Sequence, residues 1–176
     1  MVIGEFKSLV LRFQTEYLGV PAGSSVLASA VYAGACAAAC VLGGPMWDAS
    51  GPRTRRAGVA VLCVGLASTS AALLYMVLVG ALWTSPVLWL VGANGLLFAC
   101  PYYLPVNAYV AGLDSADSGK AAAAVDGLAN GGALAAYILI RWVRDGATVS
   151  QVWSTVWGLH TMLALAAALL VQTFTK

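Results

Sequence analysis

Residues 17–47, 57–113 and 146–175 contain no Asp, Glu, Lys or Arg. Each block meets or exceeds the ~20 apolar residues that a helix needs to cross a hydrocarbon core about 30 Å thick. A water-soluble domain carries about a quarter of its residues as charges; here only 9% are charged and 61% are hydrophobic. Nothing follows the ten-residue alternation of a transmembrane barrel, and in lipid only helices or closed barrels satisfy the backbone. The expected fold is therefore an all-α, polytopic membrane bundle. The apolar material continues to the last turn, and no small-residue cleavage site precedes a polar body, so a secretory leader on a soluble protein is not expected.

Turn signals divide the blocks into five full spans, at 22–47, 57–83, 87–113, 119–140 and 149–174, within one transmembrane domain covering 1–176. Pro21 and Gly23-Ser24-Ser25 start the first, and Asp48-Ala49-Ser50-Gly51-Pro52 stops it. Thr84-Ser85-Pro86 splits the long central block, since proline disfavours helix at the residue before it and fits the first turn of the helix after it. Residues 1–18 are too short and too charged to span, with Glu5, Lys7, Arg12 and Glu16 among apolar residues. They read as an interfacial amphipathic helix or a partial helix. With Arg53, Arg55 and Arg56 in the cytoplasm, Lys120 and Lys176 also lie inside and Arg141 and Arg144 outside, five cations against two. Loop 48–56 and the C-terminus are then cytoplasmic. Five spans would leave Leu18 outside, which favours the partial-helix reading.

A net charge of +2 gives no ground for nucleic-acid binding. Cys36, Cys40, Cys63 and Cys100 lie in apolar blocks without C-x-x-C spacing or partner histidines, so they read as small packing residues and no metal or cofactor is expected. Small residues line the first span (Gly34, Ala35, Ala38, Ala39, Gly43, Gly44) and the fourth (Gly127, Gly131, Gly132), which predicts close helix approach. Trp83, Trp142 and Trp153, near span ends, read as interface anchors, and His160 as a packing residue.

Between the first two spans, Gly44-Pro45-Met46-Trp47-Asp48-Ala49-Ser50-Gly51-Pro52-Arg53 reads G-x-x-x-D-x-x-G-x-R. Gly44 lets the helix end lie against a neighbour, Asp48 can offer its carboxylate to the next helix N-terminus or to an arginine, and Gly51 permits the turn. This resembles the cytoplasmic loop signature of the major facilitator superfamily. Farther on, Asn94-Gly95-Leu96-Leu97-Phe98-Ala99-Cys100-Pro101-Tyr102-Tyr103-Leu104, then Ala111-Gly112-Leu113-Asp114, Lys120-Ala121 and the stretch from Val125-Asp126-Gly127 through Asn130-Gly131-Gly132 to Leu134 resemble helices ten and eleven of the organophosphate:phosphate antiporters. Among these, the eukaryotic sugar-phosphate exchangers, glycerol-3-phosphate transporter-like, are most similar. The resemblance covers about residues 8 to 174 and implies the C-terminal half of a twelve-helix carrier, in the endoplasmic reticulum or plasma membrane. It departs from the family at Cys100, where a glycine usually precedes the proline, and at Arg12, where relatives carry an apolar or aromatic residue.

Asp126 is the one formal charge away from the ends of a span, Lys120 standing at the edge of the fourth, and a carboxylate there costs several kcal/mol unless it meets a partner or water. Asn130 lies one turn on, on the same face, at a position that by resemblance points into the central pathway. Asn94, Tyr102, Tyr103 and Asn107 set polar tips in the third full span, where Pro101 frees a backbone carbonyl. Asp126, Asn130, Tyr102 and Asn94 are the candidate pathway residues. Lys7 and Arg12 are candidate cations for a phosphate, and Gly44, Asp48, Gly51 and Arg53 form the candidate gate motif. The resemblance implies exchange of a sugar phosphate or other organophosphate for inorganic phosphate by alternating access. The partner would be an N-terminal six-helix half or a second chain. A second reading is a non-transporting membrane scaffold or pseudo-transporter. An enzyme is not expected, since the sequence displays no paired carboxylates, no Ser/His dyad and no H-E-x-x-H.

Overall fold

A computed structural model of the chain describes residues 10–81, 84–111 and 115–173. Among the described residues there is no strand. A π-helical turn, Phe13–Tyr17, precedes five long helices: α1 (Ala22–Ala49), α2 (Pro52–Leu78), α3 (Thr84–Ala111), α4 (Ser115–Arg144) and α5 (Val149–Thr173). Four segments are long and apolar enough to cross a membrane, namely Ser25–Ala49, Pro52–Leu78, Pro86–Pro105 and Val149–Val171. The chain is a helical membrane protein.

The helix ends follow from local chemistry. Pro52 occupies the first turn of α2, where its missing N–H costs nothing and its fixed φ suits the helix. The helix therefore begins five residues before the expected Ala57, and Arg53, Arg55 and Arg56 belong to its first turns. At the other end Gly80 takes φ +67°, its N–H donates to the Val77 carbonyl at 3.2 Å, and the Ala81 N–H donates to Met76 at 2.9 Å. This Schellman arrangement stops α2 before the expected Trp83. At the start of α5, the Thr148 N–H donates to Gln151 Oε1 at 2.8 Å and the Gln151 N–H donates to Thr148 Oγ1 at 3.3 Å, a reciprocal capping box.

α2 and α3 form the middle of the bundle; α1 packs along α3 and α5 along α2, while α4 touches α3 and α5 only lightly. Large apolar side chains such as Leu27, Val41, Met46, Trp89 and Leu169 point outward, as they must when the surrounding solvent is hydrocarbon. Inside, Tyr32, Cys36, Leu73, Val77, Val91, Ala99 and Trp157 belong to one contiguous cluster.

The α1–α3 seam is built on small residues. A Cβ at Gly95 would lie 2.8 Å from the Tyr32 carbonyl oxygen, and one at Gly43 would lie 2.6 Å from Cys100 Sγ. The thiols contribute too: Cys36 Sγ donates to the Gly95 carbonyl at 3.2 Å and Cys100 Sγ to the Ala39 carbonyl at 3.1 Å. All four cysteines are free, in keeping with packing residues.

The N-terminal turn docks by its aromatic side chains. Phe13 stacks on Tyr17 at 5.4 Å and meets the edges of Trp153 and Trp157 at 5.0 and 5.3 Å. Trp153 is only 3% exposed, which corrects its reading as an interface anchor: Phe13 covers the face that would have met the headgroups. Trp142 is exposed near the end of α4, and Trp83 lies outside the described residues.

Candidate functional site

The strongest polar feature of the interior joins the three helices that form its middle and one flank. Ser70 on α2 and Asn94 on α3 are 0% and 1% exposed, and Asn94 Nδ2 donates to Ser70 Oγ at 2.9 Å and to Thr69 Oγ1 at 3.2 Å. Ser70 Oγ also lies 2.8 Å from the Leu66 carbonyl, one turn back, and 2.8 Å from Nδ1 of His160 on α5. The His160 ring is half-buried and meets Trp157 edge-on at 6.1 Å.

A rise of 1.5 Å per residue sets the depth of this cluster. Ser70 lies about 12 Å from the end of α2, Asn94 about 15 Å from the start of α3, and His160 about 16 Å from the start of α5. These ends meet on one side of the bundle, where Ser150 Oγ donates to the Val77 carbonyl at 3.4 Å. If these helix ends stand level with the edge of a hydrocarbon core about 30 Å thick, the cluster falls near its midplane. Among the described residues no donor reaches Asn94 Oδ1, although that atom is buried. Buried polar atoms are otherwise almost always paired, so this oxygen is an open acceptor. Turning the amide over would exchange the open acceptor for open donors.

Two prolines follow Asn94 on the same helix. Pro101 and Pro105 lie inside α3 and remove the bonds that the Leu97 and Pro101 carbonyls would otherwise accept. Tyr102 stacks on Phe98 at 5.3 Å and meets Tyr103 edge-on at 4.9 Å, which extends an aromatic strip below the cluster.

At the α1–α2 connection the bonds differ from those expected. Arg55 Nε donates to the Trp47 carbonyl at 2.8 Å and Nη2 to the Asp48 carbonyl at 3.4 Å, and the guanidinium lies 5.2 Å from the Trp47 ring centroid. One arginine thus caps the C-terminal end of α1, where the helix dipole favours a cation. The bonds to Asp48 run through its backbone carbonyl and not its carboxylate. Gly51 sits in ordinary extended backbone, φ −73° and ψ 165°, so the turn does not demand glycine there. Gly44 has open space around its α-carbon; the close approach belongs to Gly43. Arg53 is exposed.

On the opposite side, Glu16 pairs with Arg144 at 3.1 Å, beside a shallow crevice of about 200 Å³ also lined by Val149 and Trp153. Tyr17 donates its hydroxyl to the Val77 carbonyl at 3.1 Å, and burial pushes its phenol up from the usual tyrosine range, which keeps it a donor.

Of the predicted site residues, Asn94 is the one the fold ties into a network. Tyr102 lies on the same helix in a separate aromatic strip. Arg12 is exposed, just before the π-helical turn. Lys7 lies outside the described residues, as do the side chains of Asp126, Asn130 and Asn107, although their backbones run within α4 and α3. Ser70, Thr69 and His160 were not candidates. The expectation that the chain holds no Ser/His pair is corrected: residues 90 positions apart meet at 2.8 Å. Ser70 Oγ faces its own helix carbonyl in a closed interior, so the contact is part of a hydrogen-bond network. Among the described residues no group of three or more His, Cys, Asp or Glu could hold a metal ion. Compared with family models, curated proteins and solved structures, the chain matches none.

Proposed function

We propose that this chain is one half of a transmembrane secondary transporter that exchanges a sugar phosphate or related organophosphate for inorganic phosphate by alternating access. The observation that carries the reading is the midplane cluster. Asn94, a residue of the stretch that resembles the antiporters, is its node, and polar groups at that depth are rare and mark pathways or relays in membrane proteins. The prolines of α3 add support, since broken helices recur at carrier sites. On this reading the fold is five spans plus a partial helix, with α4 as the remaining span. Asp126, Asn130, Tyr102 and Asn94 line the pathway, Lys7 or Arg12 supplies a cation for the phosphate, and residues 44–53 gate it from the cytoplasm. A second six-helix unit, either the other half or another copy, completes the site.

The test is exchange of labelled phosphate against unlabelled sugar phosphate in liposomes holding the 176-residue chain. Saturable exchange that rises with the protein-to-lipid ratio is expected, because two units must meet. Absence of exchange at every ratio rules out a pair of identical copies as the complete carrier, and robust saturable exchange at the lowest ratio, where single chains predominate, overturns the half-carrier reading. The second reading, a scaffold that assembles with partner chains, is favoured by the open small-residue faces at Gly34, Gly127 and Gly131, where nothing lies within 4 Å of an added Cβ. It predicts stable complexes without exchange.

A further inference from the structure

We infer that the Ser70–Asn94–His160 cluster is a proton-binding site at the midplane of the membrane, with His160 as the group that takes up the proton and Ser70 as the swivel that adapts to it. The argument is an account of hydrogens. Ser70 Oγ has one proton and two lone pairs, and three neighbours within 2.9 Å: the Leu66 carbonyl, His160 Nδ1 and Asn94 Nδ2. Asn94 Nδ2 can only donate and the Leu66 carbonyl can only accept. Nδ1 can do either.

Two complete arrangements follow from the same heavy-atom positions. With an unprotonated Nδ1, the Ser70 hydroxyl donates to that nitrogen and accepts from Asn94. With a proton on both ring nitrogens, Nδ1–H donates to Ser70 Oγ, the hydroxyl turns to the Leu66 carbonyl, and the second lone pair still accepts from Asn94. The proton is gained or lost at the imidazole, and Ser70 needs only a rotation about its C–O bond. The second arrangement also serves the neutral tautomer with its proton on Nδ1, so the cluster accepts that nitrogen with or without hydrogen, and no group bonded to Ser70 is left unpaired when the ring takes up its second proton. The buried Asn94 Oδ1, which no described donor reaches, adds an unused acceptor to a cluster that must hold a cation.

The elements packed against α5 bring few other ionisable groups. α2 carries Cys63, which is buried away toward Ala168, Tyr75, which is exposed, and Arg53, Arg55 and Arg56 in its first turns, about 20 Å or more along the helix from Ser70. The N-terminal turn carries Glu16 and Tyr17, occupied with Arg144 and with the end of α2. α4 carries Asp117, Lys120, Tyr137, Arg141 and Arg144; Asp117 pairs with Lys120, and the side chain of its Asp126 lies outside the described residues. The groups bonded to Ser70 carry no formal charge.

The chain has one histidine, so histidine labelled with ¹⁵N reports this ring alone. In nanodiscs holding the full chain, the ring signals should titrate between neutral pH and about pH 3. Ser70→Ala removes the acceptor that the protonated ring needs and should require at least about tenfold more protons for half-titration, the equivalent of one charge-assisted bond. Ser70→Thr keeps the hydroxyl and should titrate within about threefold of the wild type. Asn94→Leu, which removes the donor to Ser70 Oγ and leaves the hydroxyl that faces the ring, should also shift the midpoint. A ring that does not titrate in this range overturns the proposal, as does a Ser70→Ala midpoint equal to that of the wild type. If Ser70→Ala does not fold, the Asn94→Leu midpoint decides in the same way. None of these readouts involves phosphate, so a failed exchange assay and a failed titration are separate results.

Discussion

The two long seams of this bundle hold their helices together by different means. Along α1–α3 the backbones themselves approach: Gly95 stands against the Tyr32 carbonyl, Gly43 against the Cys100 sulfur, and two thiols bond across to carbonyls. Along α2–α5 the contact is made by side chains, with Leu66 and Ala67 against Ala164, Val59 and Cys63 against Ala168, and Leu73 and Val77 clustered with Trp157. The first seam leaves no room for a methyl group and the second has room to spare. Lipid tails are as apolar as leucine, so burial alone does not drive helices together in a membrane; close packing and interhelical hydrogen bonds do. The α1–α3 pair joins backbone packing to two weak thiol–carbonyl bonds, and the α2–α5 pair joins side-chain packing to the bond between Ser70 and His160.

This contrast can be broken by substitution. The largest effect is expected at Gly95→Val, where the branched side chain meets backbone that cannot swing aside. Overpacking of this kind costs about 3 kcal/mol or more, and the unfolding midpoint in mixed micelles should fall accordingly. A midpoint near that of the wild type would mean that α1 and α3 are not in backbone contact. Gly43→Ala should cost less, about 1 to 2 kcal/mol, because the obstacle is a sulfur atom. Combining it with Cys100→Ala should restore part of the loss, a coupling of at least about 0.5 kcal/mol in a double-mutant cycle; strict additivity would separate the two residues. The smallest effect is expected on the other seam. At Gly158 an added Cβ rests 4.0 Å from the Leu74 side chain, an ordinary contact. Gly158→Ala should therefore be neutral or stabilise by up to about 1 kcal/mol through helix propensity. If Gly158→Ala destabilised the chain as much as Gly43→Ala, the difference between the seams would vanish.

Some of this was legible in the sequence, and the reason is that lipid imposes a one-dimensional rule. Charge-free blocks must be helices, and prolines and glycines mark their ends, so the long helices lie near the expected residues. Their exact limits depended on terms the pattern does not display, such as the compatibility of Pro52 with a first helical turn and the left-handed Gly80. The stripe on α1 was visible as a composition. That Gly43 and not Gly44 meets α3 depends on helix rotation, which small residues on several faces leave open. Asn94 stood out as an amide in an apolar run, but its partners did not. Ser70 sits among Ser68 and Thr69, which look alike, and His160 is 90 residues away on another helix. Trp153 misled because a tryptophan near a span end looks the same whether headgroups or a phenylalanine cover it.

The clasp between α1 and α2 has a mechanical consequence. With only Ser50 and Gly51 between the helices, and Arg55 fastened to the last carbonyls of α1 while stacked near Trp47, the two helices share a joint with little play at one membrane face. α1 has 28 residues and is a rigid arm about 42 Å long. A tilt of about 5° at the joint sweeps its far end through about 4 Å, roughly two-thirds of the rise of one helical turn. Loosening the joint, as Arg55→Ala does, would therefore be felt most at the opposite face, beside Tyr17 and Arg144, and least at the arginine itself.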